Sequence, residues 1–145
     1  MDYRQSKERS GKMKLNWIDL HYNGIIYSKK NSKQIVRVGS KMFLVSNQNA
    51  KNCEKSMSTE FCAQVLKHNW KPSGRYAVSM YFTRESNIRR DLDNLATSVL
   101  DALVLAGALE DDGVKCIKEL HVYDMGVDKD NPGVSVHLDG ENNEE

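Results

Sequence analysis

Residues 88–112 read IRRDLDNLATSVLDALVLAGALEDD, and this stretch decides how the chain is organised. Leu92, Leu95, Ala96, Val99, Leu103 and Ala106 follow one another at i, i+3, i+4, i+7, i+11 and i+14. That spacing puts one apolar stripe on a helix, because side chains three and four apart share a face. Gly107 supplies the C′ residue that ends it, since glycine adopts the left-handed backbone of a helix stop without strain. Carboxylates stand at both ends: Asp91 and Asp93 before the stripe, Glu110, Asp111 and Asp112 after it.

Working back from this helix, Arg75 to Thr83 alternates as a strand, with Val78, Met80 and Phe82 inward and Ser79 and Tyr81 outward. Pro72-Ser73-Gly74 separates it from a helix running from Asn49 to about His68. Met57, Phe61 and Val65 form the apolar face of that helix, and Ser46, Asn47 or Asn49 is available as its cap. Ile35 to Val38 and Met42 to Val45 flank Gly39-Ser40 as short strands. Ser28 to Lys33 is a polar, basic loop, and Leu15 to Tyr22 alternates with Ile18, Leu20 and Tyr22 on one side.

Forward of the helix, Lys118 to Met125 alternates with Leu120 and Val122 on one side. Asn131-Pro132-Gly133 turns the chain into a last strand whose Val134, Val136 and Leu138 share a face. The order of elements predicts a single α+β domain: a mixed β-sheet with two main helices packed on it. Residues 1–13 are expected to be a flexible basic arm, 14–139 the folded domain, and 140–145 a disordered acidic tail.

The net charge of +1 hides an asymmetry. Residues 1–90 carry 18 Lys and Arg against 6 Asp and Glu, a net +12; residues 91–145 carry 3 against 14, a net −11. The basic half suits a phosphate backbone. The acidic half repels one unless a cation intervenes. No apolar run is long enough to span a bilayer, and no secretory signal pattern is visible, so a cytoplasmic location is expected. Cys53, Cys62 and Cys116 form no CxxC pair and read as reduced thiols. His21, His68, His121 and His137 show no ligand spacing and read as surface or strand residues.

The chemistry gathers at the two ends of the second helix. With Asp93 as N-cap and Asp91 still extended before it, both carboxylates can turn toward one ion. A helix of about 15 residues is about 22 Å long. For Asp112 to join the pair, the acidic turn must fold back or return on a strand, for which Lys115 to Met125 is the candidate. Converging carboxylates resist joint ionisation without a cation, and Mg²⁺ prefers such oxygens together with water and phosphate. Arg89 and Arg90 stand where they can clamp a phosphate. Each feature also has an ordinary structural use. An aspartate at a helix start usually caps it, an Asp-Asp pair after a glycine turn is usually solvated, and a basic terminus is usually a soluble tail. Asp101, off the apolar stripe, pairs with an arginine or faces water.

Arg90-Asp91-Leu92-Asp93-Asn94-Leu95, then Leu100-Asp101-Ala102-Leu103, Ala106-Gly107 and Asp111-Asp112, together resemble the core signature of the RusA-type Holliday junction resolvases. The likeness is ungapped over Arg89 to Asp112. It extends more weakly to the Asn131-Pro132 turn and the final strand, and back to the Lys-Asn-Ser run near Ser28 to Ser32. The resemblance implies a homodimeric nuclease that resolves four-way junctions and related branched DNA by paired symmetric nicks, with Mg²⁺ as cofactor and Mn²⁺ as a substitute. It implies Asp91, Asp93 and Asp112 as metal-binding catalytic acids, with Asp111, Asn94 and Thr97 beside them. Arg89, Arg90, Lys29, Lys30, Lys33, Lys115 and Lys118 are the expected DNA contacts. Family members carry a lysine one helical turn after the second acid. This chain has Thr97 there, so Lys115, Lys118 or Arg89 is a candidate replacement, and a non-catalytic module that binds branched DNA is the competing reading.

Overall fold

Period-two and period-3.6 patterns both become the elements they predict. The computed structural model describes residues 16–28, 33–46, 48–88 and 90–141. Expectations for the arm at 1–13, for Lys29, Lys30 and Arg89, and for residues 142–145 of the tail lie outside the described residues. In chain order the elements are β1 (Trp17–Asn23), β2 (Lys33–Val38), β3 (Lys41–Ser46), α1 (Gln48–Lys67), β4 (Tyr76–Arg84), α2 (Leu92–Leu105), β5 (Ile117–Val127) and β6 (Gly133–Gly140).

Four strands form one mixed sheet in the order β1-β6-β4-β5, and β2 and β3 form a separate antiparallel hairpin. Strand β6 runs antiparallel to both β1 and β4, while β5 runs parallel to β4. The parallel pair follows from the connection: α2 carries the chain back along the sheet, and a crossover of that kind is what parallel neighbours require. The architecture is α+β, with two helices and a mixed sheet in one domain.

The inward faces are the expected ones. Ile18, Leu20 and Tyr22, then Val78, Met80 and Phe82, then Val134, Val136 and Leu138 are buried in one core with Met57, Phe61 and Val65 of α1 and Leu95, Val99 and Leu103 of α2. Each such side chain contributes about 1.5–3 kcal/mol on leaving water. The other face of the sheet carries polar cross-strand pairs. His137 meets Asp19 at 2.5 Å and His21 meets Ser135 at 2.9 Å. The rings of Tyr81 and Tyr123 stack at 5.0 Å beside them. Among the described residues, no helix is long and apolar enough to cross a membrane.

Two backbone details position the site. At the end of α2, Ala108 N–H donates to Leu103 C=O and Gly107 N–H to Val104 C=O, with Gly107 at φ +82°. That is the paired bonding of a Schellman stop, and it fixes the direction in which the acidic turn leaves. At the sheet edge, a Cβ on Gly133 would sit 2.2 Å from the Tyr22 carbonyl oxygen, so only glycine lets β6 approach β1 there.

Three expectations are corrected. Helix α1 begins at Gln48, so Asn49 lies inside it and is not its cap. Gly140 belongs to β6, donating to the Asn16 carbonyl, and Glu141 N–H donates to Arg75 C=O while its carboxylate pairs with the Arg75 guanidinium at 2.8 Å. Strand β6 therefore reaches one residue past the expected boundary at 139. The third concerns the cap of α2.

Candidate active site

Helix α2 starts two residues earlier than an N-cap at Asp93 would place it. Asp91, not Asp93, is its N-cap, with extended φ −89° and ψ 121°. The Asp91 carbonyl accepts the N–H groups of Asn94 and Leu95, at 3.1 Å each, because Leu92 has already turned helical to bring the apolar stripe onto the core. Asp93 falls in the first turn. The Asp91 carboxylate makes no capping hydrogen bond. The usual structural use of an aspartate at this position is thus not the one made of it here. Asp91 and Asp93 are both exposed, at the helix end whose backbone N–H groups favour negative charge.

The acidic turn lies elsewhere. Asp111 and Asp112 line an open hollow with Glu54 of α1 and with Asp101, Val104 and Leu105 from the last turns of α2. The 14 residues of α2 put about 21 Å between its two ends. Strand β5 does return along the helix, but Asp112 precedes its first residue and stays behind. Its register pairs Ile117 with Tyr76 at the start of β4 and Asp124 with Phe82 near the end. The carboxylate that β5 delivers toward the start of α2 is therefore Asp124. Among the described residues, no group of three or more His, Cys, Asp or Glu side chains is placed to hold a metal ion. The expectation that Asp91, Asp93 and Asp112 converge on one ion is not met in the chain: Asp91 and Asp93 stand at the start of α2, and Asp112 lies by its far end.

The loop from β4 to α2 is held by ion pairs. The Arg90 guanidinium bonds the Glu85 carboxylate and lies over the Tyr27 ring, 5.6 Å from its centre. Its Nε is buried and makes no hydrogen bond among the described residues. Burial pushes the Glu85 carboxyl up, but the Arg90 hydrogen bond and the charges of Arg90 and Arg84 outweigh it and hold the group below the ordinary carboxylate range. At the end of β4, Arg84 grips Asp124 in a two-point pair, Nε at 2.9 Å and Nη2 at 3.1 Å. Gly126 N–H donates to the same carboxylate at 3.1 Å. These bonds lower the Asp124 pKa and raise that of Arg84.

The remaining expected residues sort by position. Thr97 is one turn beyond Asp93, and its hydroxyl donates to the Asp93 carbonyl at 2.9 Å. Asn94 is buried beneath the helix start. Lys115 and Lys118 are exposed, the first in the turn before β5 and the second on that strand, while Lys33 opens β2. Arg90 is largely withdrawn from solvent by Glu85 and Tyr27, so its charge steadies the loop carrying Asp91. Sequence reasoning missed Glu85, Arg84 and Asp124. The charge alternation Arg84-Glu85 and Arg89-Arg90 around the loop hints at the first two. Nothing in the strand pattern marks Asp124.

A model of the endodeoxyribonuclease RusA family matches residues 22–139. None of the curated proteins compared with the chain matches it. The matched span runs from the end of β1 through almost all of β6 and takes in the whole β4-α2-β5 unit with Asp91, Asp93 and Asp112. The chain belongs to the RusA endodeoxyribonuclease family.

Proposed function

We propose that the chain is a divalent-metal-dependent endonuclease that resolves Holliday junctions and related branched DNA by paired, symmetric nicks, acting as a homodimer in DNA recombination and repair. One observation carries most of the weight: Asp91 at the N-cap and Asp93 in the first turn both lie exposed at the start of α2, inside the span that matches the family model. Hard carboxylate oxygens of this kind suit Mg²⁺, or Mn²⁺ in its place, and one or two of them with substrate phosphate and water make an ordinary site for it. The bound ion would polarise the scissile phosphodiester and make a water nucleophilic at neutral pH.

The chain's own groups then have separate tasks. Asp91 and Asp93 hold the ion, with the amide end of α2 beneath them. Arg90 and Glu85 keep the loop in register, so that the two carboxylates are placed before DNA arrives. Asp112 is too far along α2 to reach the same ion in its own subunit, and we assign it to the site of a second subunit. A two-fold arrangement that brings each acidic turn to the other copy's helix start completes two equivalent sites, which matches the symmetry of a four-way junction. Lys115 and Lys118 travel with Asp112 and bring positive charge to a site where Thr97 has none. The basic first half of the sequence supplies phosphate contacts, whose contribution falls as salt rises.

The test is cleavage of a labelled four-way junction. The wild-type protein is expected to nick it in Mg²⁺ and to stop on chelation with EDTA. Asp91→Asn should bind the junction and leave it intact. Cleavage that survives EDTA or Asp91→Asn refutes this reading.

A further inference from the structure

Both helices pack on one face of the four-stranded sheet, and the residues that alternate with the core line the other. Register orders that second face in rows. Trp17, Asp139, Ala77 and Glu119 stand side by side across the four strands. Asp19, His137, Ser79 and His121 form the next row, and His21, Ser135, Tyr81 and Tyr123 the one after. In a chain with 21 Lys and Arg, these three rows hold three carboxylates and neither basic residue.

The face combines acids with rings. Tyr81 and Tyr123 are both exposed and stack at 5.0 Å, with His121 near-parallel at 6.5 Å from Tyr123. The Trp17 ring lies 5.9 Å from that of His137. Asp19 and Glu119 each bond a histidine, but their side chains remain 70% and 54% exposed, open to a further partner. Rings beside carboxylates suit ammonium and guanidinium groups, which the ring face and the charge both attract. A nucleic acid would set its phosphates against the acids. A second copy of the same face would set acid against acid.

One basic segment is already tethered at the edge of this surface. Residues 1–14, which lie outside the described residues, carry Arg4, Lys7, Arg9, Lys12 and Lys14 against Asp2 and Glu8, a net +3. They join the sheet two residues before Trp17 at the start of β1. Four strands are about 14 Å across. Fourteen residues can span about 46 Å, so the segment reaches every row. A short tether also holds it at roughly millimolar local concentration, at which individually weak pairs suffice.

We propose that residues 1–14 dock on the helix-free face of their own chain's sheet, with their Lys and Arg among Asp19, Asp139 and Glu119 and against the Tyr81 and Tyr123 rings. This goes beyond the nuclease reading and does not depend on it. Docked there, the segment's charge is answered within the chain, and phosphate contacts fall to the rest of the basic half.

Three measurements on the full chain test it. Trypsin should cut after Lys7, Arg9 and Lys12 about tenfold faster in the combined variant Asp19→Asn, Glu119→Gln, Asp139→Asn than in the wild type, the scale of a few exposed ion pairs acting together. Far-UV circular dichroism checks that this variant is folded. Equal rates in the folded variant and the wild type overturn the proposal. The second variant leaves the domain untouched: Arg4→Glu, Lys7→Glu, Arg9→Glu and Lys12→Glu together. Because Trp70 is buried, acrylamide quenching reports Trp17, and it should rise when the segment leaves. Unchanged quenching overturns the docking, and so does a single-stranded oligonucleotide that shields Trp17 in the segment's place. The third measurement joins lysines to carboxylates with a carbodiimide in an equal mixture of ¹⁵N-labelled and unlabelled protein. Links from Lys7, Lys12 or Lys14 to Asp19, Asp139 or Glu119 should join like isotopes alone. Mixed-isotope links would assign the face to the segment of a second copy and overturn docking within one chain.

Discussion

The two ends of α2 carry the same kind of residue in opposite surroundings. At the start, Asp91 and Asp93 stand where the Asp91 carbonyl accepts the Asn94 and Leu95 N–H groups, behind a loop tied by Arg90 to Glu85 and by Arg84 to Asp124. At the end, Asp111 and Asp112 follow a glycine stop into an open hollow shared with two further acids, Glu54 and Asp101. The second end gathers four acids, Glu54, Asp101, Asp111 and Asp112, around one hollow. What distinguishes the helix start is the ion-paired loop that leads into it.

The sharpest break of that comparison lies within the acidic pair. Asp112→Asn should cost the enzyme several kcal/mol of transition-state stabilisation, roughly a thousandfold or more in junction cleavage rate. Asp111→Asn should cost about tenfold to a hundredfold, the scale of a group that only supports a ligand. Equal losses at the two positions would mean that the hollow acts as a unit and that Asp112 has no special role.

A smaller effect is expected from the framework. Glu85→Gln keeps the shape but removes the charge that holds Arg90, and a charge-assisted bond of this kind contributes about 1.5–3 kcal/mol. Both groups are mostly withdrawn from water, with side chains 19% and 17% exposed, so solvent screening removes little of it. The melting temperature should fall, and cleavage should drop by about tenfold to a hundredfold with the metal requirement unchanged. A variant that loses stability but cleaves at the wild-type rate would show that the loop is not what orients Asp91.

The smallest effect is at the other end. Gly107 sits at φ +82° with open space where a Cβ would be, so Gly107→Ala meets only backbone strain. The expected cost is about 1 kcal/mol, a fall of roughly 2–4 °C in a thermal melt of a domain this size. Cleavage should fall with it if the direction of the acidic turn matters to the site, and stay level if the turn is merely surface.

Most of the fold was legible in the residues. Alternation in β1, β4 and β6 named the buried faces correctly, and the stripe from Leu92 to Ala106 with Gly107 after it placed α2 within a residue, since burial of one face imposes its period on the sequence. The motif around Asp91 was equally plain, and the family match agrees with it. The cap assignment was not. Asp91 and Asp93 are both acceptable caps, and only the packing of Leu92 and Leu95 chooses between them.

The sequence by itself determined which residues are inside, where the chain turns, and that three aspartates surround one helix. Tertiary structure alone decided that β5 runs parallel to β4, that it returns Asp124 and not Asp112 to the helix start, and that Arg90 turns inward to Glu85. The reason is physical. Burial acts on each residue where it stands and leaves a periodic mark, whereas the pairing of strands and of distant charges depends on partners far along the chain, whose positions no local pattern records.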